Sequence, residues 1–231
     1  MKLPLLVSVP HAGLWVPPEA RPYCRLSPAE RLEDGDVGAA EIYWGLERSM
    51  VAFATTDIAR AIVDLNREED DRRRDGVVKT HTCWDVPVYR EPLPETVRNA
   101  LLERYHRPYH ARLSELGGSG ARLGVDCHTM AAMGPPVGPD PGKVRPAACL
   151  SHADGTCPEE WIQMLQECLT RSLERDVRIN DPFRGGHIIR NHASELPWIQ
   201  LELSREAYLG NEEKAARVLA ALEELCRRIG W

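Results

Sequence analysis

The stretch Leu123-Gly124-Val125-Asp126-Cys127-His128 is an apolar run of strand length closed by an acid and an imidazole. It predicts a strand over residues 123–127, and similar runs at 5–9, 60–65, 147–150 and 199–203 predict four more. Longer stretches of helical period lie between them, and this alternation is the pattern of an α/β layer fold. Helix starts are well marked. Ser27-Pro28-Ala29-Glu30 sets a capping hydroxyl, a proline for the first helical position and a reciprocal Glu in order, and Thr156-Cys157-Pro158-Glu159 repeats the device. Asn211 is placed to cap a last helix whose apolar positions Val218, Leu219, Leu222 and Leu225 share one face before Gly230 stops it. Residues 95–116 are helical in period, with Pro108 expected to kink or divide them. Residues 68–75, alternating acids with arginine, read as a solvated loop, and the Gly- and Pro-rich residues 134–146 as a long loop inside the domain.

The chain has 231 residues, enough for one large domain spanning 1–231 with a real core. With 43% hydrophobic and 28% charged residues the composition is that of an ordinary globular protein. A net charge of −6 lacks the positive surplus that binding to nucleic acid requires. The opening residues through Pro10 carry a short apolar run broken by prolines, which reads as a first strand rather than a signal peptide. No run approaches the ~18 uncharged apolar residues of a membrane span. Seven scattered cysteines with no Cys-x-x-Cys spacing fit reduced thiols, so a cytoplasmic location is expected. Neither a G-x-S-x-G elbow nor a Gly-rich phosphate loop is present.

Chemically capable residues gather at strand ends, where open α/β sheets place their sites. His11 follows the first run, Asn66-Arg67 the second and His128 the third, while Glu202 lies within the last. Asp126-Cys127-His128 pairs a histidine with a carboxylate able to orient it, the usual support around zinc. Cys127 between them points away, because side chains alternate along a strand. Catalytic zinc takes three ligands from His, Asp and Glu and leaves one position open. Asp34 and Asp36, flanking Gly35 in a break between helical stretches, are acids without an evident structural task. His106 and His110 are spaced i, i+4, but Pro108 between them and the lack of a Glu beside the first separate them from the H-E-x-x-H helix. His106 reads as a surface residue and His110 as one that supports a site from behind.

Glu202 is a carboxylate in an otherwise apolar strand, where burial costs several kcal/mol unless the charge is paired. Burial would raise its pKa toward a value suited to a general base, the alternative being a structural ion pair with Arg205 or Arg67. Arg67, Arg184, Arg190 and Arg205 complete the inventory. A guanidinium binds a carboxylate through two parallel hydrogen bonds, so these arginines in an acidic protein point to a small anionic substrate.

The ordered series Val9-Pro10-His11-Ala12-Gly13, Asp64-Leu65-Asn66-Arg67, Tyr105-His106-Arg107-Pro108-Tyr109-His110, Asp126-Cys127-His128-Thr129-Met130, Pro182-Phe183-Arg184-Gly185-Gly186 and Gln200-Leu201-Glu202-Leu203-Ser204-Arg205 resembles the N-formylglutamate amidohydrolase family along nearly the whole chain. That family is similar in fold to zinc carboxypeptidases and aspartoacylases. The resemblance therefore implies a mixed, mostly parallel sheet flanked by helices on both faces, phosphorylase/hydrolase-like, and one catalytic Zn2+ or another divalent ion. It implies His11 and His128 as ligands, Glu202 as the acid/base, and Asn66 and Arg67 as holders of a substrate carboxylate, with Arg184, Arg190 or Arg205 for a second one. Asp126 and His110 would support the ligands. Leu14 stands where the related peptidases carry a Glu after the first His, so the third ligand is assigned to Asp36, with Asp34 and Glu19 as substitutes. Ala12 where Ser is common, and His187 where an aromatic follows the glycine pair, depart from the family pattern. The implied reaction cleaves N-formyl-L-glutamate to formate and L-glutamate, within histidine degradation. Another N-acyl amino acid or a small peptide would suit the same machinery, and a non-catalytic carboxylate-binding module is the alternative of another class.

Overall fold

The computed structural model describes residues 2–231, and within them six strands form one sheet. They are β1 (Leu3–Val9), β2 (Met50–Thr55), β3 (Leu123–Met130), β4 (Ala148–Ser151), β5 (Val177–Ile179) and β6 (Trp198–Ser204). Their order is β2-β1-β3-β6-β4-β5, with every neighbouring pair parallel except β4 and β6. The sheet is thus mixed and mostly parallel. Four of the five expected strands are present. Residues 60–65 instead turn, with the Ile62 and Val63 N–H groups bonded to the Ala59 carbonyl. Their apolar side chains are buried without pairing into the sheet, which is why they imitate a strand. Strands β2 and β5 were not anticipated. Both are edge strands: β5 is three residues long with an arginine in its middle, whereas β2 carries the continuous apolar run Met50–Ala54, which the reading of the sequence passed over.

The helices are α1 (Pro28–Asp34), α2 (Ala39–Tyr43), α3 (Glu95–Leu101), α4 (Arg107–Gly117), α5 (Glu159–Leu173), α6 (His187–Asn191) and α7 (Asn211–Ile229). The Ser27–Glu30 capping box forms in both directions. The second capping device does not. Thr156 Oγ1 lies 2.7 Å from the Trp198 carbonyl and 2.9 Å from that of His152, tying the loop to β6 instead of capping α5. Asn211 is likewise the first residue of α7 rather than its cap, which is Gly210. Gly230, at φ 83°, closes that helix as expected. The 95–116 segment divides at the proline: a π-helical turn over Leu102–His106 separates α3 from α4, and Pro108 sits in the first turn of α4, where no N–H is needed.

Strand alternation gives β1, β3 and β6 two unlike faces. Val7, Val125, Cys127, Ile199, Leu201 and Leu203 point into an apolar core beneath α2, α5 and α7. Leu6 and Trp198 begin the opposite face, covered by α4 and α6, but Ser8, Asp126, His128, Gln200 and Glu202 follow toward the strands' carboxyl ends. A Cβ at Gly124 would overlap the Trp198 ring, so a glycine is required for that ring to lie across β3. The chain runs from β1 to β2 on one side and returns to β3 on the other. That reversal opens a crevice beyond the carboxyl ends of β1 and β3. Among the described residues no helix is long and apolar enough to cross a membrane.

Candidate active site and metal centre

His11 lies just past the end of β1, His128 near the end of β3, and Asp36 in the break between α1 and α2. His11 Nε2–H donates to Asp64 Oδ1 at 2.9 Å, and His128 Nε2–H donates to Asp126 Oδ2 at 2.8 Å. A carboxylate only accepts, so each Nε2 carries a proton, which leaves the two Nδ1 atoms as the positions where an ion or a further proton would sit. Those Nδ1 atoms are 3.1 Å apart. Asp36 Oδ2 lies 3.0 Å from His128 Nδ1 and 3.6 Å from His11 Nδ1. Three buried electron-pair donors converging in this way repel one another unless positive charge joins them. The titration behaviour points the same way. Burial opposes charge on His128, yet Asp126 and Glu202 raise it well above the usual imidazole range. Burial also pushes Asp36 up, yet His11 and His128 hold it well below the usual carboxylate range. Two imidazole nitrogens and one carboxylate oxygen, each imidazole braced by a second carboxylate, fit the donor chemistry of zinc or a similar divalent ion.

The other two acids weighed for this place are engaged elsewhere. Asp34 accepts from Lys79 Nζ at 3.0 Å and from the Cys83 N–H at 2.8 Å, and Glu19 pairs with Arg104 and Tyr105. Asp36 is fastened by the Thr129 N–H at 3.2 Å and faces Arg205 Nη2 at 3.6 Å. Arg205 also donates to the Gly35 and Thr129 carbonyls, so its hydrogen-bonding capacity holds the Asp36 loop to β3.

Asp64, which braces His11, was not singled out in the sequence. The available signal was an acid closing the apolar run Ala61-Ile62-Val63. It accepts from Arg60 Nε at 3.1 Å and the Asn66 N–H at 3.0 Å, and Lys79 Nζ stands 3.6 Å away. Burial pushes its carboxyl up, but His11, Arg60 and Arg67 hold it well below the usual range. Lys79 is itself only 1% exposed, a buried cation shared by Asp34 and Asp64.

Glu202 stands opposite His128 in the β3–β6 register and is 8% exposed. Burial raises its pKa, with Asp36 adding to the effect and His128 opposing it. Gln200 Nε2–H donates to Glu202 Oε1 at 3.0 Å, while Gln200 Oε1 accepts the Gly186 N–H at 2.7 Å. Asn66 is held at both ends of its amide. Its Oδ1 accepts the Ile188 N–H at 2.8 Å, which turns Nδ2 toward Asp126 Oδ2 at 3.3 Å. A Cβ at Gly186 would collide with that amide, which accounts for the glycine.

These residues floor a cleft of about 510 Å³. Its walls include both long loops: Arg73 and Asp75 come from the segment read as solvated, and Pro135, Val137 and Arg145 from the Gly- and Pro-rich one. Most cations of the cleft are already paired. Arg145 forks onto Asp140 at 2.7 and 2.9 Å and stacks on Phe183, Arg73 pairs with Asp71, and Arg60 and Lys79 serve Asp34 and Asp64. Arg184, exposed at the rim, donates to none of the described residues. Arg67 gives Nε to the Asp75 carbonyl at 3.2 Å and keeps Nη2 3.6 Å from the Asp75 carboxylate. Arg190 is exposed on α6, reaches the Arg184 carbonyl at 3.4 Å, and does not line the cleft. His110 stands apart from the His11–Asp36–His128 group, with Nε2 on the Leu65 carbonyl. His106 was expected at the surface but is 3% exposed, because its ring bonds inward to the Arg67 carbonyl.

Comparison with known proteins identifies the family and the fold. Residues 3–209 match the family model described as N-formylglutamate amidohydrolase. The chain is 26% identical to the N-formylglutamate deformylase of Pseudomonas putida, over 92% of this chain and 84% of that one. It is 25% identical to the enzyme of the same name from Pseudomonas aeruginosa, over 99% and 90%. Two crystal structures share the fold: an N-formylglutamate amidohydrolase from Ralstonia eutropha (TM-score 0.75, 22% identity, 98% of this chain and 93% of that one) and a gene product of Agrobacterium tumefaciens (TM-score 0.75, 19% identity, 99% and 90%).

Proposed function

The chain belongs to the N-formylglutamate amidohydrolase family, and from that premise we propose that it hydrolyses the amide bond of an N-formyl amino acid, N-formyl-L-glutamate foremost, with a divalent ion, zinc, held by His11, Asp36 and His128. The observation that carries this reading is the pair of Nδ1 atoms 3.1 Å apart beside Asp36, each imidazole fixed by its own buried carboxylate. When bound, the ion supplies Lewis acidity, making hydroxide available near neutral pH and polarising an amide oxygen. Glu202, buried and hydrogen-bonded by Gln200, takes the proton from the attacking water and returns it to the departing amine. Water is consumed, the C–N bond breaks, and formate and the free amino acid leave. Arg184, which donates to none of the described residues, and Arg67, held only by long contacts to Asp75 and the Asn66 carbonyl, clasp the two carboxylates of an acyl-glutamate and hold its amide over the floor. Asn66, spent on Ile188 and Asp126, contributes by fixing Asp126 rather than by direct grip on substrate.

The test is elemental analysis of the purified protein together with formate release from N-formylglutamate and from neutral N-formyl amino acids. One zinc per chain and a strong preference for the dicarboxylate are expected. Equal turnover of neutral substrates would move the reading to another N-acyl amino acid, and a metal-free protein releasing no formate would leave only a carboxylate-binding module.

A further inference from the structure

Three successive carbonyls, those of Leu65, Asn66 and Arg67, each face an N–H belonging to a histidine. His110 Nε2 meets the Leu65 oxygen at 3.0 Å, the His187 backbone N–H meets that of Asn66 at 3.4 Å, and His106 Nε2 meets that of Arg67 at 2.8 Å. A carbonyl oxygen cannot donate, so both ring contacts require the proton on Nε2. In His110 the remaining Nδ1 lies 3.0 Å from His192 Nε2, which must supply the proton of that contact, and the His192 ring also meets Glu195 through Nδ1 at 2.9 Å. The i, i+4 spacing of the sequence sets the two rings one turn apart, at 4.5 Å between centroids, over alternate carbonyls.

We propose that His106 and His110 are positioning residues that clamp the peptide planes on either side of Asn66, so that Arg67 is aimed into the cleft to receive a substrate carboxylate. The idea rests on the reading of Arg67 given under the proposed function. A pinned backbone matters here because Arg67 has Asp75 as a competing partner at 3.6 Å, and an unheld loop would let the pair close on itself. His106, His110 and His187 also form a three-imidazole group, which a cation would suit. Yet both nitrogens of His110 are occupied, so the clamp is the use the contacts favour.

Two measurements on the intact protein decide it. Histidine-selective nitrogen NMR, assigned with H106Q and H110Q, is expected to show both rings neutral with the proton on Nε2. A proton on Nδ1 in either ring would overturn the clamp, whatever the substrate proves to be. In kinetics, His106→Ala is expected to raise KM for N-formylglutamate about tenfold, the loss of roughly one net hydrogen bond, while kcat and zinc per chain stay within about twofold of wild type. His106→Gln, whose amide N–H reaches about as far as Nε2, restores KM. An unchanged KM, a parallel fall in kcat and zinc content, failure of the Gln variant to rescue, or a second zinc equivalent lost in His106→Ala would each refute it. Absence of turnover by wild type would refute the proposed function instead, and the NMR arm would still decide the clamp.

Discussion

The two faces of β3 and β6 are both removed from water and opposite in chemistry. Facing α5 and α7, β3 offers Val125 and Cys127 and β6 offers Leu201 and Leu203, all fully buried among apolar neighbours. One residue along, Asp126, His128, Gln200 and Glu202 are nearly as buried but entirely polar, and each is satisfied by a named partner. The apolar face contributes stability through area and packing, which is non-directional. The polar face is held by hydrogen bonds to named partners, and those bonds are what fix the direction of the two imidazoles and of the raised Glu202 carboxyl.

The sharpest break between the faces is expected from Glu202→Gln. It should lower kcat for formyl hydrolysis by about 10³-fold while zinc content and Tm stay near wild type, checked by steady-state kinetics beside metal analysis. Leu201→Ala, its neighbour pointing the other way, should do the reverse. It should lose ~2–5 kcal/mol of unfolding free energy in urea with kcat per folded molecule unchanged. A kcat loss in Leu201→Ala as large as in Glu202→Gln would erase the distinction. Asp64→Asn, which removes the carboxylate behind His11, should weaken zinc about 10- to 100-fold in a chelator competition while leaving the fold intact.

The smallest effect concerns acid. Burial pushes the Asp34 carboxyl up, but Lys79 and Arg60 outweigh it and hold the pKa below the ordinary value. Its contribution to stability is therefore fully present above the unfolded carboxylate pKa of about 3.9 and is lost as pH falls through the lower folded value. Thermal unfolding followed below about pH 4 should show a decline in wild type that is smaller in Asp34→Asn. An equal decline in both proteins would show that Lys79 does not support Asp34 in this way.

Much of this was legible along the chain. Apolar runs of strand length marked β1, β3, β4 and β6, and the Ser27–Glu30 box marked α1, because each depends on residues within a few positions. His11, His128 and Glu202 stood out because polar groups at strand ends or inside apolar strands are locally anomalous. Segment 60–65 misled for the same reason that it is buried: apolar content reports removal from water, not pairing. Strand β5 was hidden because three residues with a charge in the middle make no run, whereas the apolar run of β2, Met50–Ala54, was there to be read.

Composition and short-range pattern thus settled the layer architecture and the kinds of group at its strand ends. The family resemblance favoured Asp36 over Asp34 and Glu19, but which acid meets the two imidazoles, which carboxylate stands behind His11 and which cleft arginine is left without a partner among the described residues were decided only on folding. His11 meets Asp64 across 53 positions and His128 meets Asp36 across 92. Such contacts are selected by the packing of loops over the sheet, and no local rule ranks Asp34, Asp36 and Glu19 before that packing gives Lys79 to the first and Arg104 to the last.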